Sequence, residues 1–202
     1  MTTMMSPISF CLVSASVSGS KSCQSGLEVA QKELTAIVNE NPPQQGEEAN
    51  EGTLADWRSR VTDKAKELAD AVIACRPIKV SERDKLMTQA VRAIIRATEH
   101  ESYVYTRKEA AENIIGLAEK MVKAKVPDKS TGWALDRAQD IVFGLNAQKE
   151  RESAAASKIN DPAEKLTTEN NSWWNVVDLK SLSNKITEIR RQIGYLNLGK
   201  AR

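Results

Sequence analysis

The chain has 202 residues, of which 41% are hydrophobic, 28% charged and only 4% aromatic, and its formal net charge is +2. That length suits one domain, with or without a tail, and many charges with few aromatics favour long exposed helices over a sheet-rich fold. No apolar run approaches the roughly 18 residues of a membrane span, and so mild a charge permits an acidic partner without demanding nucleic acid.

The charge is unevenly divided. Residues 1–52 hold Lys21 and Lys32 against six glutamates, and the basic surplus lies in 53–202. Residues 1–26 carry eight serines, no acid, and no base before Lys21. Three readings stand for this stretch. It can be a signal peptide centred on residues 8–13, although the charged start is missing and the apolar run is short. It can be a disordered, inert tail. It also resembles, in composition, the serine-rich, acid-free leaders of type III secretion substrates, which implies export from a bacterium without signal-peptide cleavage; otherwise the chain is cytoplasmic.

Ser25-Gly26-Leu27-Glu28 reads as a capping box that opens a short helix over about 27–40, with Leu27, Ala30, Leu34 and Ile37 on one face. An acidic linker rich in Pro, Gln and Glu follows, so residues 1–52 are expected to be a flexible tail and 53–202 a helical bundle domain. Thr53 and Asp56 mark the next start, and Leu54, Trp57, Val61, Leu68, Val72 and Cys75 recur at helical spacing up to Arg76-Pro77.

Ser81 opens a further helix, with Leu86, Met87, Ala90, Val91, Ile94 and Ile95 on its buried side. Tyr103-Val104-Tyr105 is expected to be a turn whose rings lie against the bundle. Thr106-Arg107-Lys108-Glu109 reads as a second capping box, followed by the broad face Ala110, Ala111, Ile114, Ile115, Leu117, Ala118, Met121 and Val122 and closed by Pro127. Gly116 stands mid-helix, where a close crossing is one reason to have it.

The next helix begins near Ser130 or Thr131 and is lined by Trp133, Leu135, Ala138, Ile141, Val142 and Leu145. Over 147–158 large apolar residues disappear, so that part is expected to project into solvent. Asp161-Pro162-Ala163-Glu164 signals another start, and 167–171 a loop. In the last stretch, Leu179, Leu182, Ile186, Ile189, Ile193 and Leu196 form a heptad seam headed by Ser172, Trp173 and Trp174. The expected fold class is all-α: an antiparallel bundle with a long C-terminal heptad-patterned helix and a disordered N-terminal tail.

The inventory for chemistry is thin. His100 is the single histidine, and Cys11, Cys23 and Cys75 form no CxxC pair. Neither a zinc site nor a disulfide framework is indicated, and Cys75 is expected to pack in the core as a thiol. No GxGxxG, GxxxxGK[ST] or GxSxG motif occurs. Expected are no enzyme activity, no catalytic residue, no cofactor and no metal.

Binding surfaces remain. Arg58, Arg60, Lys64 and Lys66 lie along one helix, and Arg83, Lys85, Arg92 and Arg96 along the next. Trp173, Trp174, Arg190 and Arg191 are the candidate partner-binding residues, because Trp and Arg anchor interfaces. The seam is expected to be covered by other helices, within one molecule or between copies. The expected function is a non-enzymatic helical protein working by protein–protein contact, as a secreted effector or assembly component, with coiled-coil self-association expected where the seam is free. The alternative is a viral or phage helical protein that coats or sequesters RNA.

Overall fold

The computed structural model describes residues 16–40, 51–99, 103–159, 161–162, 174 and 177–200. Among these, six helices account for nearly all the structure: α1 (Ser16–Asn39), α2 (Glu51–Ala74), α3 (Val80–Thr98), α4 (Val104–Lys123), α5 (Lys129–Ala156) and α6 (Leu179–Lys200). No strand occurs among the described residues. The all-α expectation holds. The expectations for residues 41–50, His100, Ser172 and Trp173 lie outside the described residues, as do most of 1–26 and residues 163–173.

The apolar periodicities account for the packing. All eight residues of the predicted face of α4, from Ala110 to Val122, are buried. So are Leu86, Met87, Ala90, Val91 and Ile94 on α3, with Ile95 half-buried. Helices α2 and α3 pack as one hairpin and α4 and α5 as another, with α1 lying on α2 and α3 and α6 on α4 and α5. Leu27, Leu34 and Ile37 of α1 belong to the same core as the rest.

The chain ends of α1 and α2 show why they run antiparallel. The Trp57 indole N–H donates to the Ile37 carbonyl at 3.1 Å, and Lys64 pairs with Glu33 at 3.0 Å. At the other end Cys23 and Cys75 form a disulfide, with Cα atoms 5.3 Å apart. This corrects the expectation of unpaired cysteines. Cys75 is buried, as expected, but as half of a bridge. Two cysteines 52 residues apart carry no pairing signal in the sequence; only the antiparallel packing of α1 on α2 brings them together.

Several predicted helix starts are displaced. Helix α1 begins at Ser16, so Ser25 and Glu28 lie inside it rather than at its head. Helix α2 begins at Glu51, ahead of Thr53. Helix α3 begins at Val80, and α4 at Val104 rather than at Thr106, neither with a side-chain cap. Tyr103 and Tyr105 are each 57% exposed while Val104 is buried, so the rings do not lie against the bundle. Once Val104 is the apolar residue of the first turn, its neighbours must point away.

Two helix starts are capped by aspartates. Asp128 accepts from the Thr131 N–H in a reciprocal capping box at the head of α5. Asp178 accepts from the Ser181 N–H at the head of α6 at 2.9 Å. Helix α4 ends in a Schellman motif: the Val126 N–H reaches the Met121 carbonyl at 3.0 Å and the Lys125 N–H the Val122 carbonyl at 2.9 Å. Lys125 holds φ at 58° there, the left-handed region that disfavours a side chain. A Cβ added at Gly116 would meet nothing within 4 Å, so no close helix crossing requires that glycine.

Two outcomes follow. Cys75→Ser, or reduction of the intact chain, lowers stability by about 2–4 kcal/mol, the usual range for a loop of this length; a urea titration reads this as a lower midpoint. Lys125→Gly relieves the left-handed backbone and raises stability by about 1 kcal/mol, read as a higher midpoint with unchanged slope.

Candidate binding cleft

The C-terminal candidates are placed first. Leu179, Leu182, Ile186 and Ile189 of the seam are buried, and Ile193 and Leu196 are partly buried against the same core. The partners of the seam are α4 and α5 of the same molecule. The seam is therefore covered within one molecule, as its heptad pattern demands.

Trp174 is 8% exposed, and its indole N–H donates to a Glu152 carboxylate oxygen at the solvent-facing end of α5. It belongs to the buried core cluster. Arg190 pairs with Asp136 at 2.8 Å. Arg191 grips Glu188 through two hydrogen bonds of 2.8 Å and stands 5.3 Å from the Tyr195 ring centroid. Glu152 and Asp136 lie about 24 Å apart along α5 at 1.5 Å per residue, so Trp174 and the arginine pair do not form one patch.

The basic sets divide in a similar way. On α2, Arg60, Lys64 and Lys66 all have acidic partners. On α3, Arg83 is consumed by Asp128: its Nε–H donates at 3.2 Å, and the two side chains are 13% and 3% exposed. Beside that pair the Ser130 hydroxyl donates to Asp128, and the Ser130 N–H donates to Asp84. The acids sit at the positive end of α5 and lock the first turn of α3 onto it.

Arg92 and Arg96 are different. They stand one turn apart on the exposed side of α3, and neither forms an ion pair with a described residue. They border a cleft of about 470 Å³ between α1, α3 and α5. Val38 of α1, Ala93 and Ile95 of α3 and Trp133 of α5 give it apolar walls, while Arg137 and Glu99 stand at its edge. Arg137 is already paired with Asp140 at 3.0 Å. The Arg92 guanidinium lies over the Trp133 ring, 5.7 Å from its centroid, an arrangement that fixes the charge by cation–π attraction. Where the cleft meets α1, Gln31 donates to Gln89 and Gln89 to Thr35, at 3.0 and 3.1 Å, so polar side chains there are mutually satisfied.

The separate ingredients of this cleft were visible in the sequence. Arg92 and Arg96 belong to a basic set on one helix, and Trp133 leads the apolar face of another. What the sequence could not give was their convergence. The half-burial of Trp133, at the edge of its helix's apolar stripe, is the signal that separates it from a core residue.

Among the described residues no group of three or more His, Cys, Asp or Glu is placed to hold a metal ion, and no helix is long and apolar enough to cross a membrane. No family model matches the sequence, and neither a curated protein nor a solved structure does.

One perturbed acid, Glu119, marks where α6 is fastened to α4, and a second, Glu188, is held within α6 itself. Hydrogen bonds from Lys123 and then Lys185 hold the Glu119 carboxyl below its ordinary 4.5, and Lys185 belongs to α6 while Glu119 belongs to α4. Arg191, with Gln192, holds Glu188 at about 2. A carboxyl whose folded pKa is depressed stabilises the fold above its unfolded value and loses that contribution as pH falls through the folded one. Lys185→Ala therefore costs up to about 1 kcal/mol at neutral pH, and the gap to the parent chain closes as the pH drops below about 4.5. Urea midpoints measured from pH 7 to pH 3 check this.

Proposed function

We propose that the chain is a non-enzymatic helical protein that acts by contact with another protein, and that its contact face is the side of the bundle formed by α1, α3 and α5. The observation that carries this reading is the cleft at Arg92, Arg96 and Trp133: two guanidinium groups without acidic partners beside an apolar, aromatic wall. Eleven of the described Lys and Arg side chains form ion pairs with acids, whereas Arg92 and Arg96 pair with none of the described acids and stand together beside an apolar wall, so this face presents binding capacity that the fold itself does not use.

The Cys23–Cys75 disulfide supports a site of action outside the reducing cytoplasm, where such bridges persist. With the serine-rich start of the chain, it favours a secreted effector or assembly component over a cytoplasmic factor. The RNA-coating alternative needs a continuous row of cations to follow a phosphate backbone. The paired bases of α2 and the acids between them leave it with less support.

The expected outcome is directional. A photo-crosslinking residue at Arg137 or Glu99 of the oxidised chain traps a protein of one mass in a whole culture, cells and medium together, and the same residue at Lys180 on α6 does not. Equal trapping at both faces removes the assigned surface. A gel-shift titration with RNA over a salt series returns no complex at low salt; a complex that weakens steeply with salt restores the alternative.

A further inference from the structure

Resting on that contact reading, we infer that the cleft between α1, α3 and α5 recognises a peptide segment in which an acidic side chain stands next to an aliphatic or aromatic one. Charge complementarity selects the acid. Arg92 and Arg96 project from successive turns of α3, and a guanidinium fork matches a carboxylate with two parallel N–H···O bonds. Arg96 has no ion-pair partner among the described residues, and Arg92 is held over Trp133, which fixes its position while leaving its N–H groups free to donate.

Shape selects the neighbour. Val38, Ile95 and the exposed part of Trp133 form an apolar wall beside the arginines, and a volume of about 470 Å³ has room for an apolar side chain as well as a carboxylate. An ion with no apolar body would leave that wall wet.

Two features argue against a nucleic acid as the occupant. Arg92 covers a face of the Trp133 ring, so that face is closed to a stacking base. Glu99 stands at the cleft's edge, and it adds a repulsion for each further phosphate of a nucleic-acid backbone that a peptide with one carboxylate does not meet.

The test uses the oxidised full chain, ¹⁵N-labelled, and the acetylated, amidated peptide Ser-Glu-Phe-Leu-Ser as probe. The indole N–H resonance of Trp133, assigned with Trp133→Phe, shifts and saturates as the peptide is added. Replacing the peptide's Glu by Gln, or making Arg96→Glu, weakens binding about tenfold or more, the usual worth of a charge-assisted pair. Arg96→Gln, which adds no negative charge, weakens it in the same direction. Arg96 is exposed, so both variants are expected to keep the parent's melting temperature.

Equal binding of the Glu and Gln peptides overturns the inference. So does unchanged affinity in both Arg96 variants, or tighter binding of a ten-nucleotide oligouridylate at the same resonance. If the peptide fails while crosslinking at Arg137 or Glu99 still traps one protein, the acidic-motif inference falls and the contact reading stands. If both fail, both fall.

Discussion

The fold depends on the breadth of the apolar face of α4. Its eight predicted buried residues wrap well beyond the stripe that one neighbouring helix can cover. Helices α2, α3, α5 and α6 all pack against it, and Ile114, Ile115 and Met121 are excluded from solvent altogether. Burying side chains of that size is worth roughly 1.5–3 kcal/mol each, which far exceeds what the surface ion pairs add. The hairpins and the C-terminal helix are arranged as they are because this is the surface that must leave water.

That dominance explains what could be read from the sequence. Apolar periodicity is set by burial, so the faces of α3 and α4 and the first four positions of the α6 seam are legible residue by residue. Helix starts are a weaker signal. Ser25, Thr53, Ser81 and Thr106 are all good cap formers, yet the helices start ahead of each of them; a cap is worth only about 1 kcal/mol, and at Thr106 a buried apolar residue in the preceding turn outweighs it. Val104 shows this directly: it is buried at the head of α4, and the helix begins there rather than at the capping box two residues later. Asp128 and Asp178 succeed as caps, and Asp128 is further fixed by Arg83 across the helix boundary.

The disulfide and the cleft share a different kind of illegibility. Each is a meeting of residues from separate helices, with no local pattern to announce it. Cys23 reaches Cys75 only because α1 runs back along α2. Arg92 and Trp133 meet only because α3 and α5 start side by side, fastened by Asp84 and Asp128 at the head of α5. The candidate residues near the C-terminus illustrate the converse. Trp174, Arg190 and Arg191 have the composition of a binding site, but Glu152, Asp136 and Glu188 are already their partners. Residue type alone does not distinguish an anchor for another molecule from a fastening within this one; the partner does.

The same distinction bears on why the α1–α3–α5 face can be a stable recognition surface. A binding cleft is only as specific as the walls that hold its groups in place. Trp133 stands on the buried-side edge of a helix whose capping box is locked to α3, and Arg92 is held against it. Val38, on the opposite wall, lies next to Ile37, whose carbonyl is tied to Trp57. The disulfide fixes the other end of α1, so the helix is fastened at both ends while its outer side remains open to water. A wall built this way does not have to be ordered when a partner arrives, and the side-chain and backbone entropy that would otherwise oppose binding has already been lost in folding. Placing unpartnered arginines on such a wall costs little in the free protein, because they stay solvated, and leaves their full hydrogen-bonding capacity for a carboxylate.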